Sequence, residues 1–321
     1  YYDIPTGTIT VALKSFSEVA VVSDNGKVWQ GGIDTTWYND TDNSFNIYNA
    51  DQLAGFGALV DGGNAFAGKT VTLCLDVYLS DEKTTNNFNP IGFGYEFLQY
   101  SYATEGEMSG SGKVFEGTFD GNGNTVYNLY QNGWAMGTAY EYSTVGGGLF
   151  ASIDNATIKN LTVDNAYIVM ECVDMGVVVG YANGNCTFEN IVVKNSTIAN
   201  YQRCTGGAIG EVGNGHHILK NVDVEASTYV SSLWGDFDAP LGGIIGGTWA
   251  HTYNDVKGQN GHKVSVYMEN CDVAAEINAY NDVTSAYQWY AYRRAGMLIG
   301  NTEEVAADGR TAKADFLTCK N

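Results

Sequence analysis

The chain has 321 residues, with 16 Lys plus Arg against 36 Asp plus Glu and a formal charge of −20. So acidic a surface repels nucleic acid and anionic membrane, and neither is an expected partner. No apolar run reaches membrane-spanning length, so no membrane insertion is expected in this segment; a cation, a neutral glycan or another protein remains as partner.

Residues 1–36 open with alternation in Thr8–Leu13 and again in Glu18–Val22, which reads as N-terminal linking or edge strands ending at the Asp24-Asn25-Gly26 turn. From residue 37 to 321 the expectation is one solenoid. Leu53, Phe56, Leu59 and Val60 have helical spacing, with Asn49 or Asp51 placed as a cap. A short helix here would shield the open end of a stack of coils. Val71–Leu79 reads as a strand, 80–113 as a loop insert, and Phe115–Leu129 as strand, turn and strand.

A phrase then recurs: Ile158-Lys159-Asn160-Leu161-Thr162-Val163, Phe188-Glu189-Asn190-Ile191-Val192-Val193, Leu219-Lys220-Asn221-Val222-Asp223-Val224 and Met268-Glu269-Asn270-Cys271-Asp272-Val273. The template is apolar, charged, Asn, then a strand taken to open at that Asn. In phase with it run glycine-rich starts at Gly147, Gly176, Gly206, Gly242 and Gly296. Self-similarity at about 30 residues, with short β-branched runs and no helical period, predicts an all-β solenoid. Asn160, Asn190, Asn221 and Asn270 are expected to form a structural ladder, each side chain bonding to the next coil. The N-x-T sequons at Asn39, Asn155, Asn160, Asn185 and Asn195 would be glycan acceptors in a eukaryotic secretory protein; the ladder reading is preferred.

The ordered phrases W-Y-N-D (37–40), F-N-I-Y-N-A-D-Q-L-A-G (45–55), F-A-G-K-T-V-T-L (66–73), N-P-I-G (89–92) and F-E-G-T-F-D-G-N-G-N-T-V-Y-N-L (115–129) resemble the opening module of bacterial cell-surface adhesin-like proteins with GLUG-type repeats. The later G-G-L-F and I-K-N-L-T-V units resemble that family's repeats. The resemblance implies a right-handed parallel β-helix that is secreted or held at the cell surface. It implies no single activity. No signal peptide stands at Tyr1, and Phe316–Asn321 reads as the start of another strand, so both ends read as cut from a longer chain.

Candidate chemistry is sparse. Asp120-Gly121-Asn122-Gly123-Asn124 alternates oxygen ligands as a calcium loop does, but its later positions depart from that template and a tight turn is preferred. His216 and His217 are adjacent on an extended segment and would face opposite ways, so no metal site and no cofactor are expected. The cysteines Cys74, Cys172, Cys186, Cys204, Cys271 and Cys319 contain no C-x-x-C pair. Disulfides between coils are weighed against small buried thiols stacked in a ladder, with Cys271 and Cys319 at similar phases, and the ladder is favoured. A polysaccharide lyase or hydrolase needs convergent carboxylates with a basic partner. Asp164, Asp174, Glu189, Asp223 and Asp272 are scattered without a neighbouring Arg, and Asp236 with Asp238 reads as a solvated edge, so the enzyme is the minority reading.

The rhythm breaks in inserts near 231–262 and 280–294. They hold the candidate ligand-binding residues Trp234, Trp249, Tyr253, Tyr287, Trp289, Tyr290, Tyr292 and Arg293. Trp, Tyr and Arg are the residue types of interface hot spots and sugar-stacking platforms. The expected function is adhesion or ligand binding, extracellular and non-enzymatic, with a host or community glycan or protein as partner. The alternative is a fibre subunit whose partners are copies of itself.

Overall fold

The computed structural model describes residues 2–3, 8–9, 28–81, 87–92, 113–134, 146–172, 174–200, 204–213, 215–232, 240–248, 264–279, 295–301 and 317–320. One coil shows the plan. Phe150–Asp154 lies in a glycine-rich wall, Thr157–Asp164 in a long wall, Tyr167–Glu171 in a side wall and Asp174–Gly176 in a short wall. Val179–Asn183 then returns to the glycine-rich wall and pairs in parallel with Phe150–Asp154. Every wall is built this way from successive coils in parallel register, so the chain is an all-β parallel solenoid.

The long wall runs from Ser44–Ile47 through Thr70–Leu73, Thr118–Asp120, Thr157–Asp164, Thr187–Lys194, Gly215–Val224 and Val264–Glu269 to Leu317–Lys320. Stacking places like on like. Phe119, Ile158, Phe188, Leu219 and Met268 are register partners in one buried column. Val126, Val163, Val193 and Val224 form another. Each such side chain adds about 1.5–3 kcal/mol by leaving water.

The recurrent Asn does not open a strand, as its place in the phrase predicts. Asn160 lies inside the strand Thr157–Asp164, with φ at +53°. Asn190, Asn221 and Asn270 have φ at +54°, +53° and +51°. A residue in this left-handed region interrupts the two-residue alternation, as a bulge does. Ile158 and Leu161, three apart, therefore both point into the core, whereas Lys159 and Thr162 do not. Asn tolerates this conformation better than other residues with a side chain, which explains its recurrence.

The first coil is closed by the helix α1, Ala50–Asp61. Asn49 is its N-cap, accepting from Gln52 N at 2.9 Å, while Gln52 Oε1 accepts from Tyr48 N at 2.8 Å. Leu53, Phe56 and Val60 share the buried face. The Phe56 ring stacks on Phe119 with centroids 5.9 Å apart and meets Phe66 and Phe115 edge-on. Ser44–Ile47 and Thr70–Leu73, the strands on either side of α1, pair directly with each other. The helix thus stands where later coils have three walls, and it covers the end of the core.

Near the N-terminus, Tyr2–Asp3 pairs antiparallel with Thr8–Ile9. The other expected strand residues before residue 28 lie outside the described residues, as does most of 80–113. Trp29 already belongs to the solenoid, its N donating to Tyr78 O and its ring meeting Phe88 at 5.4 Å. Among the described residues no helix is long and apolar enough to cross a membrane.

Candidate functional site

Two ladders run along the outside of the long wall. In the first, Asn160 Nδ2 donates to Asp120 Oδ1 at 3.0 Å and Asn190 Nδ2 to Asn160 Oδ1 at 2.8 Å. Asn221 then donates to Asn190 at 2.7 Å and Asn270 to Asn221 at 3.3 Å. Asn160, Asn190 and Asn221 each use both ends of the amide in these bonds. In the second ladder the charged position alternates in sign: Asp120, Lys159, Glu189, Lys220, Glu269 and Lys320 are successive register partners. Lys159 Nζ lies 3.2 Å from Asp120 Oδ2. A slip of one coil element would break the buried columns and misplace these charges together, so both ladders favour this register.

The carboxylates weighed for catalysis are dispersed. Asp164 lies 3.6 Å from Lys194 Nζ and accepts from Asn195 Nδ2 at 2.8 Å. Asp223 and Asp272 are register neighbours; desolvation, with the second carboxylate beside it, pushes the Asp223 pKa up. Asp236 and Asp238 lie outside the described residues. At the candidate calcium loop, Asp120 Oδ1 accepts from Asn122 N at 2.8 Å, and Asn122 and Gly123 both have positive φ. That is a tight turn whose carboxylate is engaged with Lys159, Asn122 and Asn160.

His216 and His217 face opposite ways. His216 is exposed, with Nδ1 2.6 Å from Ser265 Oγ. His217 is fully buried, with Nε2 2.9 Å from Gly213 O, and burial pushes its pKa down to about 4. Because a carbonyl only accepts, Nε2 carries the proton and Nδ1 is bare.

The cysteines do not form a single column. The registers place Cys204 beside Asp174, Cys319 beside Met268, and Cys271 next to the Asp223–Asp272 pair, three residues further along its coil than Met268. The shared phase expected for Cys271 and Cys319 is therefore incorrect. Cys319 takes the position of Met268, ahead of the recurrent Asn, whereas Cys271 follows it. Burial pushes the Cys186 thiol up to about 12, leaving it a small core side chain.

One group of ligand-type side chains was not read from the sequence as a unit. Asp174, Cys204 and Glu211 are all buried, and one donor atom of each lies within 4.8 Å of the other two. Cys204 Sγ donates to Glu211 Oε2 at 3.0 Å. The available signal was the repeat itself, since a period of 30 residues lays Cys204 on Asp174.

Of the expected aromatic inserts, only the bounding strands are described. Between side wall and short wall the connection is 172–173 after Glu171 and 201–203 after Asn200, but 233–240 after Ser232 and 280–294 after Ala279. Between glycine-rich wall and long wall it is 155–156, then 184–186, then 213–214, but 249–263 after Thr248. Trp234, Trp249, Tyr253, Tyr287, Trp289, Tyr290, Tyr292 and Arg293 all belong to the long connections and lie outside the described residues. Two stacked tyrosine pairs are described elsewhere, Tyr78 on Tyr127 at 4.7 Å and Tyr130 on Tyr167 at 5.5 Å. They flank the corner where Asn165 Nδ2 donates to Asn128 Oδ1 at 2.8 Å.

No protein-family model matches the chain, so the GLUG-type resemblance is carried by the sequence phrases alone. A Bacteroides ovatus crystal structure, provisionally assigned as an immunoglobulin A1 protease, aligns with a TM-score of 0.41 at 13% identity over 87% of this chain and 74% of that one. The chain is 29% identical over 209 residues to halomucin of Haloquadratum walsbyi, a match that covers 64% of this chain and spans 2% of that relative's length.

Proposed function

We propose that this chain is an extracellular, non-catalytic binding module of a surface protein, in which a stiff solenoid carries aromatic inserts that bind a glycan or protein ligand. The observation that carries the reading is the contrast between walls and connections. Register is kept without a break through Gly206, Gly242 and Gly296 and through Ile209, Ile245 and Ile299. Over the same coils the connections lengthen to 233–240, 249–263 and 280–294, and these hold three of the chain's six tryptophans, Trp234, Trp249 and Trp289, together with Arg293. A repeat protein that varies only its connections concentrates its recognition there. The likeness to part of a halomucin is in keeping with a surface location. Asp120 and Asp164 each lie beside a lysine, which is in keeping with a structural role for those two carboxylates.

The test is an array of glycans and surface proteins probed with the purified chain, followed by Trp249→Ala with Trp289→Ala on any ligand found. Loss of binding with an unchanged β-rich circular dichroism spectrum supports the reading. Binding that survives the double substitution contradicts it. Concentration-dependent filaments in place of ligand binding would favour the fibre subunit, and release of sugars from a polysaccharide would favour an enzyme.

A further inference from the structure

We propose that Asp174, Cys204 and Glu211 form a site for a thiophilic divalent cation of the zinc class. The three come from two adjacent coils and two walls. Asp174 and Cys204 are parallel register partners on the short wall, and Glu211 lies in the glycine-rich wall strand Ile209–Val212, seven residues after Cys204. Their donor atoms lie within 4.8 Å of one another. Zinc bonds of about 2.0–2.3 Å in tetrahedral geometry hold ligand atoms roughly 3.3–3.8 Å apart, so the ion is seated by small side-chain adjustments, among them a widening of the 3.0 Å Cys204–Glu211 edge.

The donor set selects the class. One sulfur with two carboxylates suits a borderline-soft ion, whereas calcium and magnesium take oxygen alone. The residues are 3%, 3% and 2% exposed, which separates them from the solvated acidic groups common on a surface of this charge. They also lie outside the apolar core. Met175, next to Asp174, belongs to the core cluster with Cys172 and Ile168 whereas Asp174, Cys204 and Glu211 do not, so strand alternation turns Asp174 and its partner Cys204 to the other side of the short wall. In the following coil Gly247 stands opposite Glu211, and a Cβ there would come within 2.9 Å of Cys204 Sγ. A side chain at 247 would occupy the space beside the sulfur.

Binding requires the thiol proton to leave. Cys204 Sγ–H, which donates to Glu211 in the metal-free form, loses its proton to solvent as the sulfur–metal bond forms. The ion then joins one coil to the next through side chains, beside the backbone ladder.

The experiment uses chelator-treated full chain titrated with Zn²⁺ by calorimetry and with Co²⁺ by absorption. The expected result is one ion per chain, release of a proton, a rise in melting temperature with Zn²⁺, and a sulfur-to-cobalt charge-transfer band in the near ultraviolet. Cys204→Ser removes that band, and Cys204→Ser and Glu211→Gln each weaken Zn²⁺ binding on the order of a hundredfold. Absence of one-to-one uptake by the wild-type chain overturns the proposal, as does a cobalt band that persists in Cys204→Ser. If the substituted chains do not fold, the wild-type cobalt spectrum decides alone: a chain without the sulfur band has no such site.

Discussion

Asn190 gives its amide hydrogen to Asn160 at 2.8 Å and receives one from Asn221 at 2.7 Å, while its own backbone sits at φ +54°. One residue thus combines a rare backbone conformation with two bonds to neighbouring coils. Asn190→Ala loses both, at a cost of about 2–3 kcal/mol. Asn190→Gly keeps the conformation and loses only the bonds, about 1 kcal/mol. Urea denaturation of the two variants separates the contributions; equal destabilisation would mean that the left-handed backbone contributes nothing.

Phe56→Ala opens the capped end. Its ring fills the space between Phe66, Phe115 and Phe119, and its loss costs about 3–5 kcal/mol. Because coils contact only their neighbours, the damage stays local. Hydrogen exchange is expected to accelerate in α1 and Ser44–Ile47 while Thr187–Lys194 stays protected; uniform loss of protection would contradict this.

His217 makes the fold acid-sensitive. Its folded pKa of about 4 lies below the ordinary value of 6.5, so folding favours the neutral ring. The stabilisation is complete above pH 6.5, is lost as pH falls toward 4, and amounts to about 3 kcal/mol. The stability difference between wild type and His217→Leu should therefore shrink in favour of the variant across that window. A constant difference from pH 7 to pH 4 would show that the ring protonates as readily folded as unfolded.

Lys159→Glu places three acidic side chains in a row, at Asp120, 159 and Glu189. Lys159 and Asp120 are partly exposed, which limits the cost to about 1 kcal/mol at low salt. Most of it should vanish at 1 M salt, where charges are screened over about 3 Å. A salt-independent cost would assign the role of Lys159 to packing of its stem.

The architecture was legible because stacking writes itself into sequence at a fixed period: the positions of Ile158, Phe188, Leu219 and Met268 were readable as equivalent before their register was known. The helix was legible from Asn49 and the spacing of Leu53, Phe56 and Val60. What the pattern concealed was the conformation of the repeated Asn. A left-handed residue inside a strand leaves no trace in a hydrophobic period except an apparent break, which mimics a strand start. Nor does the period alone show that Cys319 falls on Met268 and not on Cys271. The grouping of Asp174, Cys204 and Glu211 was hidden for a different reason: it spans two walls, and no period in one dimension shows which walls meet.

In the proposed function the walls supply the scaffold and the long connections supply recognition. The direct measurement replaces 249–263 with the two-residue connection Asn155-Ala156 found at the same corner three coils earlier, and follows ligand binding and thermal unfolding on the same sample. Binding should be lost while the parallel-β spectrum and the melting transition stay close to wild type. Retained binding, or collapse of the β spectrum, would contradict it.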